Sequence, residues 1–385
     1  MTRHALAAGL LAAFVGFASS FAVVLKGLTG MGASPAQAAS GLMALSVAMG
    51  LCAIVLSLWR RMPISVAWST PGAALLASSS VPEGGFPVAV GAFLTSGTLI
   101  VLAGAWRPLG RAVAAIPTSL ANAMLAGVLL NLCLAPMRAI AAMPALAMPV
   151  VLVWAVVWRV RRLYAVPAAV AAMAGVLILH GGGGAPPQWF AEPVWVAPVW
   201  TLPATIGLAL PLFLATMASQ NIPGMAVLAA NGYTPPAGPL FRVTGVFTLL
   251  AAPFGGHAVN LAAITAALCA GPDADPDPAK RYWAAVVAGG AYIAFGLLAG
   301  AATGLIAISP PLLIEAIAGL ALLGSLGGAL MGAMRDAEER EAALIAFLTT
   351  ASGLTFFGIG GAFWGLLAGV AMRALTKWRI GLPAP

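Results

Sequence analysis

Apolar residues run along this chain in long windows, with polar residues gathered in short breaks between them. A helix needs about 20 mostly apolar residues to cross the hydrocarbon core of a bilayer, where backbone groups have only one another as partners. Reading between breakers gives fourteen such windows: 5–25, 40–59, 64–80, 86–106, 117–136, 144–160, 163–180, 203–224, 240–254, 257–270, 282–303, 311–333, 341–357 and 360–376. The third and tenth are short and open among Pro, Gly, Ser and Asn, which predicts half-length helices there. Between the seventh and eighth windows, Gly181 to about Trp200 has four consecutive glycines, several tryptophans and neither Lys nor Arg, which predicts an interfacial loop. The pattern predicts an all-α polytopic membrane protein.

Composition sharpens this reading. The chain has 385 residues, of which 62% are hydrophobic and 7% charged, against roughly 25% charged in a soluble domain. A water-facing surface could not be covered, which excludes a soluble enzyme, a nucleic-acid binder and a disordered chain. The net charge of +8 sits at the ends of apolar windows. With the N-terminus in the cytoplasm, sixteen of the eighteen basic residues fall in cytoplasmic segments, and only Lys26 and Arg138 lie on the other side. That bias is the one membrane insertion imposes, so both termini are expected in the cytoplasm. Cys52, Cys133 and Cys269 all lie inside apolar windows, which suggests neither a disulfide framework nor a metal site. No phosphate loop, HExxH or nucleophile elbow occurs, so neither a cofactor nor ATP-driven chemistry is expected.

The chain also resembles itself. Shifted by 200, Phe17–Ala36 falls on Met217–Pro236, with Ala18, Ser19, Leu28, Gly32 and Pro35 on identical partners. The order continues with Trp68–Leu75 on Leu261–Leu268 and Ala126–Leu130 on Ala318–Leu322. A cleaved signal at residues 1–25 would have no such counterpart. Seven windows per half is an odd number, so the second half enters the membrane from the opposite side. The predicted organisation is a first inverted repeat over 1–180, a periplasmic linker over 181–202 and a second repeat over 203–385. Inverted repeats are a recurrent build of secondary transporters, with the substrate at the repeat interface near the midplane. Two glycine stripes, Gly296, Gly300 and Gly304, and Gly324, Gly328 and Gly332, predict close helix contacts.

Polar residues embedded in apolar windows are few and therefore informative. Ser69-Thr70-Pro71-Gly72 reads as a capped helix start, which inside a membrane would aim free N–H groups at an anion. Its repeat partner carries His257 and Asn260, with Asn260 expected to cap a second short helix facing the first. Ser219-Gln220-Asn221, followed by Pro223-Gly224, would orient a polar substrate head, opposite Ser19-Ser20-Phe21, with Phe17 or Phe21 against an apolar part. Glu315 is the one carboxylate away from a plausible loop, and it joins His257 as a proton-coupling candidate. His180 is read as interfacial, and the Asp273, Asp275, Asp277 series as a solvated cytoplasmic turn.

Taken together these segments resemble the benzoate/proton symporter (BenE) family. The resemblance is carried by Trp68–Leu75, Met217–Gly224, Pro253–Thr265, Gly271-Pro-Asp with Asp275–Tyr282, Thr350–Thr355 and Gly358–Gly365. It implies a bacterial inner-membrane importer of benzoate-like aromatic acids driven by protons, with a fold similar to uracil and sulfate permeases. In that fold a core unit of spans 1–4 and 8–11 moves against a gate unit of spans 5–7 and 12–14. Substrate lies between the two short helices, which places Ser69, Thr70 and Asn260 at their starts and Gln220 and Asn221 on a contacting span. Uracil permeases carry glutamates on the eighth and tenth spans, whereas these spans offer Gln220, Asn221 and Asn260. The proton carrier is then the substrate carboxylate, His257 or Glu315. The competing readings are an uncoupled anion channel or exchanger, or a transporter of another organic anion or nucleobase. A homodimer is compatible with all of them.

Overall fold

The computed structural model describes residues 2–114, 116–179, 189–263 and 265–377. His180 and Gln188, with the glycine run, lie outside them. The first half comprises α1 (Arg3–Ala18), α2 (Phe21–Gly30), α3 (Pro35–Arg60), β1 (Val66–Trp68), α4 (Thr70–Ser78), α5 (Phe86–Ala105), α6 (Arg107–Ala114), α7 (Thr118–Ala142), α8 (Pro144–Val160) and α9 (Ala165–Leu179). The second comprises α10 (Leu202–Ala204), α11 (Leu210–Thr216), α12 (Ile222–Ala230), α13 (Ala237–Ala251), β2 (Val259–Leu261), α14 (Thr265–Ala270), α15 (Tyr282–Leu297), α16 (Ala299–Ala307), α17 (Pro311–Ala333), α18 (Arg340–Ala351), the hairpin β3 (Thr355–Phe356) and β4 (Ile359–Gly360), and α19 (Gly361–Lys377).

Each of the fourteen windows holds an apolar element. Among the described residues eight helices are long and apolar enough to cross a bilayer, and the α15–α16 pair, bent by 55°, makes a ninth if taken as one span. Pro144–Val160 and Gly361–Thr376 are shorter, and the thirteenth window holds the twelve-residue α18 and the hairpin. The third and tenth windows are half-length, as their breakers predict. Each pairs a three-residue strand with a short helix, and sequence reading did not foresee the strands. β1 and β2 run antiparallel, with Val66 opposite Leu261, Ala67 opposite Asn260 and Trp68 opposite Val259. The two halves therefore bring equivalent segments together with opposite polarity. The pairing also satisfies backbone groups that have no helical partner.

Two other windows are interrupted for local reasons. Between α1 and α2 the hydroxyls of Ser19 and Ser20 both donate back to the Gly16 carbonyl, at 3.3 and 3.0 Å. Serine offering the backbone an alternative to the helical ladder bends or breaks a helix in this way. In the eighth window the chain stays helical through Pro211 and Pro223 by widening into π turns at Thr205–Ala209 and Met217–Asn221. A proline ring clashes with the carbonyl four residues back, which is Gly207 in one case and Ser219 in the other. Each falls inside a π turn.

Close helix contact comes mostly from glycines outside the expected stripes, although within them a Cβ on Gly332 would run into the Asn122 amide nitrogen. A Cβ on Gly50 would stand 2.5 Å from the Gly289 carbonyl, and one on Gly289 2.5 Å from that of Gly50, so α3 and α15 touch backbone to backbone. Gly296 does pack on Ser46, but the bend after Leu297 breaks its stripe, and Gly324 and Gly328 meet nothing within 4 Å. Of the linker, residues 189–201 form neither helix nor strand and strap the two halves. The N–H of Val196 donates to Pro253 O at 2.8 Å, that of Val199 to Pro87 O at 3.0 Å, and that of Val194 to the Ser40 hydroxyl at 2.8 Å.

Candidate functional site

A cavity of about 60 Å³ lies where the interrupted elements converge. It is bounded by Ser19 and Ser20 at the α1–α2 break, Trp68 and Thr70 at the β1–α4 junction, Gln220 in the second π turn, and Thr265 at the start of α14. Met49 and Tyr292 complete it. Among the described residues no charged side chain lines it. Its polar groups are hydroxyls, one amide and the N–H groups of the chain.

The first half supplies a rigid wall. Ser69 caps α4, accepting from the Gly72 N–H at 3.1 Å, and the Thr216 hydroxyl donates to the same oxygen at 2.9 Å. Ser69 itself is fully buried, and its own N–H donates to Ala258 O at 2.9 Å. The Trp68 indole N–H donates to the Ser20 hydroxyl at 2.9 Å, which ties the α1–α2 break to the strand. Phe17 packs on Trp68 with ring centroids 5.5 Å apart, and stacks on Phe21 at 5.8 Å.

These contacts sort the expected site residues. Ser19, Thr70 and Gln220 line the cavity. Ser69 is occupied as a cap, and Phe21 is buried behind Phe17. Ser219 lies in the π turn, off the cavity wall. Asn221 is fully buried; its carbonyl oxygen accepts from the Leu261 N–H at 2.9 Å and its amide lies 3.1 Å from the Met217 sulfur, so it anchors β2 rather than facing substrate. Asn260 does not cap the second short helix. It lies in β2, five residues before α14 begins at Thr265, with its amide donating to Leu261 O at 2.8 Å and its Oδ1 buried without a partner among the described residues.

The expected pair of facing helix dipoles is also corrected. Pro71 has no N–H, the Gly72 N–H is taken by Ser69 and that of Ala73 by Ser69 O, which leaves Thr70 as the open amide of the first turn of α4. α14 has only six residues, and a dipole needs a longer stack of aligned peptides to be worth much. Donor side chains at both starts therefore carry more than the helix ends do. Tyr292 and Met49 carry no signal in the sequence, since each sits in an apolar window with nothing to distinguish it from core, while Trp68 and Thr265 lie inside the singled-out segments but not among the expected site residues.

The two proton-coupling candidates lie off the cavity wall. His257 is fully buried, its ring 6.3 Å from that of Phe93, and neither ring nitrogen has a partner among the described residues. A buried polar atom left unpaired costs about 1–3 kcal/mol, so this ring is held at an expense that packing does not explain. Glu315 is paired: its carboxylate stands 2.7 Å from Lys26 Nζ, joining α17 to α2, with both side chains just over a quarter exposed. An ion pair this open is worth at most about 1 kcal/mol. Glu315→Gln is therefore expected to leave the pH profile of uptake unchanged, and a shifted profile in transport assays would return it to the proton pathway.

The family described as benzoate membrane transport protein, BenE, matches residues 1–375. The inner membrane protein YdcO of Escherichia coli (strain K12) is 43% identical over 370 residues, covering 94% of this chain and 93% of its own. The benzoate membrane transport protein of Acinetobacter baylyi (strain ATCC 33305 / BD413 / ADP1) is 33% identical over 365 residues, covering 94% and 92%. Among solved structures, the transmembrane domain of the cyanobacterial bicarbonate transporter BicA superposes with a TM-score of 0.58 at 13% identity, covering 98% of both chains. SLC26A9 gives a TM-score of 0.65 at 13% identity, covering 96% of this chain and 65% of its own. At such identities the two structures are similar in fold alone.

Proposed function

Because the chain belongs to the BenE family of benzoate membrane transport proteins, we propose that it imports benzoate or a similar small aromatic carboxylate, together with protons, across a bacterial inner membrane. The observation that carries this reading is the cavity, whose polar donors are all neutral and whose remaining walls are apolar. A carboxylate accepts hydrogen bonds from neutral donors more strongly than a neutral ligand does. Thr70, Gln220 and Thr265 offer them from both halves, while Trp68, Met49 and Tyr292 face the ring. At about 60 Å³ the space is far below the roughly 300 Å³ at which ligand pockets begin. Substrate entry then requires the walls to part, which is the motion of alternating access.

In this reading the fourteen windows are spans, both termini are cytoplasmic, and a core of spans 1–4 and 8–11 moves against a gate of spans 5–7 and 12–14. The packing supports such a division. α3 lies against α15, α1 against α15, α5 against α13 and α2 against α4, whereas α17 lies against α7 and α18 against both α7 and α19. His257 is the proton carrier in this reading, since neither nitrogen of its buried ring has a partner among the described residues.

Proteoliposomes with an imposed inward proton gradient are expected to accumulate labelled benzoate. In His257→Gln protein the gradient no longer drives accumulation, while benzoate–benzoate counterflow persists. A current that follows voltage and ignores the pH gradient would instead mean an uncoupled channel, and undiminished accumulation by the variant would remove His257 from the pathway.

A further inference from the structure

Three of the elements that wall the cavity meet again at their far ends, and one side chain joins them there. Arg281 precedes α15, and its carbonyl accepts the Ala284 N–H at 2.9 Å. Its guanidinium Nη1 donates to Ala270 O, the last residue of α14, at 3.1 Å, and its Nε donates to Asp275 O at 2.7 Å. Asp275 is buried, and its carboxylate takes the Asp277 N–H at 2.9 Å on one oxygen and the Thr2 hydroxyl on the other. Thr2 is the cap of α1, accepting from the Ala5 N–H at 3.2 Å. α14 brings Thr265 to the cavity, α15 brings Tyr292, and α1 brings Val15 and Gly16.

We propose that Arg281 is a positioning residue for the transport site, fixing the pitch of α14 against α1 and α15 from the face opposite the ligand. The mechanical reason is the length of α14. Six residues span about 9 Å, too short for a helix to hold itself in water by its own ladder, so its orientation is set by what grips its ends. One end meets the cavity and the other is held by a buried guanidinium that bonds two carbonyls in the fork geometry lysine lacks. Arg281 is 9% exposed and lies off the cavity wall. Hydrogen bonds from the Thr2 hydroxyl and the Asp277 N–H hold the Asp275 carboxyl below the usual carboxylate range. A lowered value means that the stabilisation is present at neutral pH and is lost only as pH falls through it, so the tether is constant under working conditions.

The inference rests on the proposed substrate for its ligand, and the experiment separates the two. Initial rates of labelled benzoate uptake are measured for wild type, Arg281→Lys and Arg340→Lys, each normalised to folded protein in the membrane. Arg340 is the control, since its Nε donates to Met334 O at 3.0 Å in a loop that touches no cavity element. R281K is expected to raise KM at least fivefold with the maximal rate changed less than twofold, and R340K to change neither. A wild-type KM in R281K, or a loss confined to protein amount, overturns the positioning role. Should R281K fail to reach the membrane, Thr2→Ala removes the α1 arm together with the cap of α1 and is expected to raise KM two- to threefold; a wild-type KM there overturns the proposal equally. Wild-type protein that does not transport benzoate at all refutes the substrate assignment instead, and the same three proteins are then compared by their KM for whichever aromatic acid is taken up.

Discussion

Replacing Gln220 by leucine is expected to lower kcat/KM for benzoate by about 10- to 100-fold, with the amount of folded protein unchanged. A hydrogen bond to a charged group contributes about 1.5–3 kcal/mol, and each 1.4 kcal/mol is a factor of ten. Gln220 lines the cavity from the π turn, and no described protein group takes up its amide. Leucine has similar bulk, so the change removes a donor to the ligand and little else. Gln220→Glu goes further, since it sets a like charge beside the carboxylate. Uptake kinetics in inverted and right-side-out vesicles would decide the matter, and a Gln220→Leu protein with wild-type KM would place the substrate elsewhere.

The second large effect is expected at the crossing of α3 and α15, which also carry Met49 and Tyr292 to the cavity. A valine at Gly289 would drive its Cβ to 2.5 Å from the Gly50 carbonyl and 2.8 Å from Ile54 Cγ1. The obstacle is backbone, so relief requires α3 and α15 to separate along their whole contact. Overpacking of this kind costs about 1–3 kcal/mol or more. In lipid no hydrophobic force pulls the helices back together. Gly289→Val should lower the melting temperature of purified protein by about 1–4 °C and shift it toward aggregate on size exclusion. Gly290→Val, one residue on, meets nothing within 4 Å and serves as the control. Equal melting of the two variants would mean that the α3–α15 crossing contributes nothing to stability.

Much of the architecture was legible because a bilayer enforces a simple code. Runs of apolar residues mark helices, and breakers such as Ser65–Pro71 and Gly255–Asn260 mark where two windows run short. The strands were not legible, since three residues such as Val66-Ala67-Trp68 have no periodicity to read, and their partner lies in the other half. The site was legible in part. Ser19, Thr70 and Gln220 stood out as polar residues in apolar surroundings, and they do face the cavity. The same argument singled out Ser69, Asn221 and Asn260, which spend their polar atoms on the protein, because composition cannot distinguish a group that holds a ligand from one that holds a strand. Glu315 looked isolated in sequence only because Lys26, its partner, lies nearly 300 residues away.

The ladder between β1 and β2 also bears on how the molecule is made. Residues 66–68 leave the ribosome about 190 positions ahead of the residues that complete their backbone bonding, a wait of roughly 10–40 s at 5–20 residues per second. Throughout that interval the nascent first half holds bare amides and carbonyls at a depth where lipid offers them nothing. Such a half-made chain needs shelter in the insertion machinery until its sister segment arrives, and slowing translation near codon 260 would lengthen its exposure to quality-control proteases.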